Sequence, residues 1–149
     1  MYKRQPSKVY ADKIIDTYSH NQLALAWAYY YKEEYGKAQN HFQNLAKSTP
    51  DPTVWSLVGV MAALNNDPTT ANAQISKIEN TSTEFEFGAT PYLLSRIYAN
   101  LNQKEMALDQ LQNSIDQGAR FYVNGVFGKD PTLKGISGDA RFKAITQGR

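Results

Sequence analysis

Ala38, Ala71 and Ala107 stand 33 and 36 positions apart, and each opens an apolar stripe. Phe42 and Leu45 follow the first, Ile75 and Ile78 the second, Leu111 and Ile115 the third. Large apolar residues at i+4 and i+7 or i+8 mark one face of an amphipathic helix. Upstream of each alanine lies a second segment of the same kind. The first holds Leu23, Leu25, Ala26, Trp27, Tyr29 and Tyr30, the second Trp55, Val58, Gly59 and Ala62, and the third Leu93, Leu94, Ile97 and Tyr98. Breakers separate the paired segments: Tyr35-Gly36, Asn65-Asn66-Asp67-Pro68, and Asn100 to Gln103. Pro50 and Pro52 close the first unit, and Pro91 starts a helix where its missing N–H costs nothing. Two helices recurring every ~34 residues cannot bury their apolar faces alone, so the units must stack.

The residues Trp55-x-x-Val58-Gly59 with Ala71, and Leu25-Ala26-x-x-Tyr29 with Ala38, Phe42 and Pro50, resemble the tetratricopeptide repeat family. The likeness runs over about 19–120. It implies an all-α, right-handed superhelix of about three hairpins, at 19–51, 52–85 and 88–119, followed by a capping tail at 121–149. Ala26, Gly59 and Ser95 on the first helices would let each hairpin close tightly against Ala38, Ala71 and Ala107 on the second. The third unit departs from the pattern in lacking a closing proline. Glu84-Phe85-Glu86-Phe87-Gly88 is an irregular connection without a repeat role.

After Gly118 the period stops. The apolar cluster Phe121, Tyr122, Val123, Val126 and Phe127 leads into Asp130-Pro131-Thr132-Leu133, then Gly138-Asp139-Ala140-Arg141-Phe142. This is similar to the tail that ends many bacterial tetratricopeptide arrays, with Ala140 in place of a second proline and Ile145 in place of a leucine. Phe121, Phe127, Leu133, Ile136, Phe142 and Ile145 are placed to cover the apolar face left by the last hairpin. Asp139 is suited to N-cap the final short helix. At the other end, Val9 to Tyr18 reads as a short helix, either the second half of a cut hairpin or a plain N-terminal cap. Residues 1–5 resemble the translation of a sequencing-library adaptor, and the expectation is a scar with the natural chain beginning upstream of Pro6. The alternative is a genuine basic start.

Chemistry is sparse. The formal charge is +2, from 16 basic and 14 acidic residues, and without Lys3 and Arg4 the two signs balance, so charge proposes neither nucleic acid nor an anionic membrane as partner. There is no cysteine, hence no disulfide, thiolate metal site or cysteine nucleophile; the cytosol and the periplasm suit such a chain equally. His20 and His41 have no carboxylate or second histidine at ligand spacing. Glu33-Glu34 reads as a solvated face, and Glu84 and Glu86 lack an acid–base partner. Gly125, Gly128, Gly135 and Gly138 form no dinucleotide or phosphate loop. No catalytic constellation, cofactor or metal is expected.

What the resemblance implies instead is binding. In that family the first helix of each hairpin lines a concave groove that holds a partner's peptide or helix. Carried onto this chain, the lining residues are Leu23, Trp27, Tyr30 and Tyr31 with His20; Val60 with Ser56, Leu57 and Leu64; and Tyr92 and Arg96 with Asn100. The lysine–asparagine set that grips a C-terminal carboxylate in chaperone-binding relatives is absent from matching places. The expected partner is an apolar or aromatic segment with one acidic group near Arg96. Packing of the same aromatics between repeats is the competing role. The functional alternatives are a scaffold module, the regulatory or sensory end of a larger bacterial enzyme or transcription regulator, and self-association through an exposed end of the stack.

Overall fold

The computed structural model describes residues 6–82, 86–119 and 127–147. Residues 1–5, Glu84, Phe85, Phe121, Tyr122, Val123, Gly125 and Val126, named above, lie outside them. Among the described residues the chain is all helical: α1 (Pro6–Thr17), α2 (Gln22–Tyr31), α3 (Tyr35–Ser48), α4 (Pro52–Leu64), α5 (Pro68–Thr81), α6 (Ala89–Asn100), α7 (Lys104–Asp116) and α8 (Ala140–Thr146). Two 3₁₀ turns, Phe127–Lys129 and Pro131–Leu133, precede α8. Helices α2–α3, α4–α5 and α6–α7 pair as three hairpins, stacked as a helical-hairpin solenoid. None of the described helices is long and apolar enough to cross a membrane.

The starts of the helices are written locally. Asn21, Asp51, Asp67 and Asp139 each accept a hydrogen bond from a first-turn N–H of α2, α4, α5 and α8, and proline follows two of them as the first helical residue. Pro52 therefore opens the second hairpin as well as ending the first. Helix α6 begins at Ala89, so Pro91 falls within its first turn, where an N–H has no helical partner.

The turns inside the hairpins share one geometry. Glu33, Asn66 and Asn102 all take positive φ, at 64°, 57° and 59°, and each lies five positions before its alanine. In each turn the next N–H reaches back to a carbonyl in the helix just ended: Glu34 to Tyr29, Asp67 to Ala62, Gln103 to Tyr98. This left-handed stop satisfies carbonyls that the helix leaves open. The first turn is thus Lys32-Glu33-Glu34, and Tyr35-Gly36, expected to break the hairpin, begins α3 instead.

Ala38, Ala71 and Ala107 are fully buried, as are Ala26 and Ser95. Phe42, Ile75, Leu111, Ile78 and Ile115 are buried below them in one continuous core. Gly59 serves a second neighbour besides the one expected. A Cβ there would lie 2.6 Å from Ile97 Cδ1, against 3.3 Å from Gln74 Cβ, so the notch admits α6 of the next hairpin as well as its own partner α5. Stacking is uneven: the first hairpin meets α4 mainly through α3, whereas α4 and α6 pack directly on each other. Helix α4 is accordingly buried at every residue from Trp55 to Ala62. The tail closes the stack, with Phe127, Leu133, Ile136, Phe142 and Ile145 all in the core. Asp139 caps α8 and pairs with Lys104 of α7 at 2.9 Å.

Candidate functional site

The residues expected to line a groove fall into three groups. Leu23 and Tyr31 are exposed, at 46% and 43%. Trp27, Tyr30 and Tyr92 are half-buried. Val60 and Arg96 are buried. Val60 has no exposed surface because α6 packs over that face of α4; Ser56 beside it is equally buried and donates to the Leu93 carbonyl of α6 at 2.9 Å. Both belong to the seam between hairpins, which corrects their expected place on an open surface.

Arg96 meets an acidic group, but the group is the chain's own. Its Nε lies 3.3 Å from Asp130 Oδ2 and donates to Thr132 Oγ1 at 2.9 Å. Thr132 in turn donates to Asp130 Oδ1 from both its N–H, at 2.8 Å, and its hydroxyl, at 2.6 Å. Tyr92 donates its hydroxyl to the other Asp130 oxygen. Asn100 Nδ2 donates to the Thr132 carbonyl at 2.7 Å, and Tyr30, from α2, donates to the Pro131 carbonyl at 3.2 Å. Three side chains of α6 and one of α2 thus hold a single Asp-Pro-Thr turn by its carboxylate, its hydroxyl and two main-chain carbonyls. The ion pair at its centre is buried: the Arg96 and Asp130 side chains are 7% and 6% exposed. Burial pushes the Tyr30 phenol up to about 12, assisted by Tyr35 and Tyr31. Tyr92 is raised further, by burial and by its bond to Asp130 and against the pull of Arg96.

Sequence reasoning placed Asp130 to Leu133 in a cap over the end of the stack and missed that the turn also fills the space beside α2 and α6. A local signal existed: an aspartate followed by proline and then a hydroxyl residue forms a tight capped turn, and Asp130 does accept from the Thr132 N–H. What the spacing could not supply was the partner surface 32 to 38 positions earlier in α6.

Trp27 stands edge-on to Tyr30, with ring centres 5.4 Å apart, and to Phe42, at 5.6 Å. Tyr31 lies 5.2 Å from Tyr30 and 6.3 Å from Trp27. One edge of this aromatic group faces the core at Phe42, which is fully buried; the other, at Tyr31, faces outward. The histidines stay apart from it. His20 is exposed, while His41 stacks on Tyr29 at 5.3 Å and shares a 2.8 Å hydrogen bond with Gln22. Among the described residues no group of three or more His, Asp or Glu side chains could hold a metal ion. Compared with protein-family models, with curated proteins and with solved structures, the chain matches none.

Proposed function

We propose that this chain is a non-catalytic interaction module of the tetratricopeptide type, from a bacterial protein, and that it holds a partner's peptide along α2, beside the turn docked on α2 and α6. The observation that carries the reading is the docked Asp-Pro-Thr turn. Convergent side chains on two helices of different hairpins grip a stretch of peptide by main-chain carbonyls and one carboxylate, which is how a peptide is held in a groove. The aromatic group of Trp27, Tyr30 and Tyr31 adjoins that turn, and aromatic residues of this size are the usual anchors of recognition. Arg96 is taken by Asp130, so an acidic group on the partner is no part of the proposal. The partner segment is apolar or aromatic, and it needs no cofactor.

A random-peptide display selection on the full chain tests this. Enriched peptides should bind the wild type and bind Tyr31→Ser about tenfold more weakly or worse, because Tyr31 is exposed and its loss leaves the fold intact. Failure to enrich any peptide, or enrichment of peptides indifferent to Tyr31 and Trp27, would overturn it. Trp27→Ala alone is a poorer probe: its edge contact with Phe42 makes it part of the core.

A further inference from the structure

Tyr30 belongs to two clusters at once. Its hydroxyl donates to the Pro131 carbonyl at 3.2 Å, and among the described residues no other hydrogen bond or ion pair joins the tail to α2. Its ring centre lies 5.4 Å from that of Trp27, 5.2 Å from Tyr31 and 6.1 Å from Tyr35. We propose that Tyr30 is a positioning residue that couples the tail to the recognition face. The turn docked on α6 fixes the Tyr30 hydroxyl, and the Tyr30 ring fixes the Tyr31 ring that a partner meets. That a partner meets Tyr31 rests on the peptide-binding reading above; the coupling itself does not.

Three observations carry it. The first is that the acceptor is held firmly. Pro131 stands between Asp130, gripped by Tyr92 and Arg96, and Thr132, whose carbonyl accepts from Asn100 at 2.7 Å. Both flanks of the accepting carbonyl are thus tied to α6, and the Asp130 carboxylate locks the turn from within. A carbonyl that cannot follow the phenol dictates where the phenol sits. The second is the unequal support of the rings. Trp27 has a core contact of its own, edge-on to buried Phe42 at 5.6 Å. Tyr31 is 43% exposed, its ring contacts are with Tyr30 and Trp27, and towards α1 it borders an open cleft. It therefore depends on Tyr30 more than Trp27 does. The third is that the other ties at this end of α2 are weak. Lys32 pairs with Asp12 at 2.7 Å and Glu34 at 3.5 Å, and Lys8 pairs with Glu33 at 3.2 Å; all are partly exposed and worth little. Rings ordered before binding lose less entropy, so loosening Tyr30 weakens recognition without removing a contact to the partner.

The test is a double-mutant cycle on the full chain, read by aromatic NMR signals and by affinity for the peptides selected above. Tyr30→Phe removes the hydroxyl and keeps the ring. Tyr92→Phe loosens the turn from the α6 side, and its ring packs on Phe127 rather than on the α2 rings. Each variant should shift the Tyr31 ring signals, and the Trp27 indole signals less, with circular dichroism unchanged. Peptide affinity should fall about fivefold for Tyr30→Phe, and the double variant should be no worse than Tyr30→Phe alone. A hydroxyl with a structural role only would lower the melting temperature and leave the Tyr31 signals in place. That result, or additive effects of the two substitutions, would overturn the proposal. If Tyr30→Phe fails to fold, Tyr92→Phe decides: shifted Tyr31 signals support the coupling and unmoved ones overturn it. If no peptide binds, the ring signals still decide the coupling, and the peptide-binding reading alone falls. Shifted ring signals with undiminished peptide affinity would overturn the part of the proposal that reaches recognition.

Discussion

At the scale of single residues, several positions carry consequences that their chemistry alone would understate. Gly88 has φ of 82°, and a Cβ on it would come 2.1 Å from the Ser114 carbonyl oxygen, while Ser114 donates its hydroxyl to the Gly88 carbonyl at 2.7 Å. Left-handed strain and a clash with rigid backbone add, so Gly88→Ala should cost ~3 kcal/mol or more in urea denaturation. Gly59→Ala meets side chains and no backbone, Ile97 Cδ1 at 2.6 Å, Ile97 Cγ1 at 2.9 Å and Gln74 Cβ at 3.3 Å, and should cost ~1–2 kcal/mol; similar losses at the two sites would contradict the packing described. Arg96 and Asp130 form a buried pair, and Arg96→Met strands the carboxylate, at ~3–5 kcal/mol. The double variant Arg96→Met/Asp130→Asn should recover part of that loss, and a double variant no better than the single one would show the pair to be uncoupled. Burial holds the His41 imidazole below its ordinary range. The unfolded chain then takes up this proton at higher pH than the folded one, so stability rises with pH. This contribution is complete above about pH 6.5, is lost as pH falls through that value, and levels off below the depressed native pKa. Wild type should lose more stability than His41→Gln between about pH 7.5 and 5.5; parallel losses would remove His41 as the cause.

At the scale of elements, the turns inside the hairpins decide where helices stop. Asn66 and Asn102 occupy the left-handed position that suits asparagine, whereas Glu33 occupies it at a cost of ~1–2 kcal/mol. Its exposed pair with Lys8, at 3.2 Å, returns little. Glu33→Gly should therefore raise stability by up to ~1 kcal/mol after the glycine's own entropy is counted, read as a higher denaturation midpoint with an unchanged slope. A lower midpoint would place the turn in another geometry. These stops were half legible. Asn65-Asn66-Asp67-Pro68 and Asn100 to Gln103 carry the residues a left-handed stop favours. Lys32-Glu33-Glu34 carries none, which is why Tyr35-Gly36 drew attention three residues too late.

At the scale of the whole molecule, burial is graded along the stack. Helix α4 is enclosed by α3, α5 and α6, and α6 is buried at nearly every residue from Pro91 to Ala99. Among its described side chains α1 buries only Ala11 fully and leaves Val9 and Tyr10 exposed. Since each unit leans on its neighbours, amide exchange should be slowest in α4 and α6 and fastest in α1, with α2 between. Uniform protection across all of them would instead indicate a single cooperative block. The tail belongs to the same scale. Its Phe127 packs 5.0 Å from the Tyr92 ring, its Asp-Pro-Thr turn bridges α2 and α6, and Arg141 of α8 reaches Glu105 and Asp109 of α7 across exposed surface.

Periodicity and caps were sufficient, without coordinates, to give three helical hairpins, the small residues that notch them, the Asp139 cap and an apolar tail over the last pair. These are local or repeating properties: a helix face recurs every 3.6 residues, and a cap lies within three residues of the N–H it satisfies. The tertiary structure alone decided that Val60 and Ser56 face the next hairpin, that Gly59 receives Ile97, and that Arg96 is answered by Asp130 of the same chain. Each of those depends on how far one hairpin is rotated and shifted on another. That offset is set by the sum of many side-chain contacts across the seam, and no spacing along the chain records it.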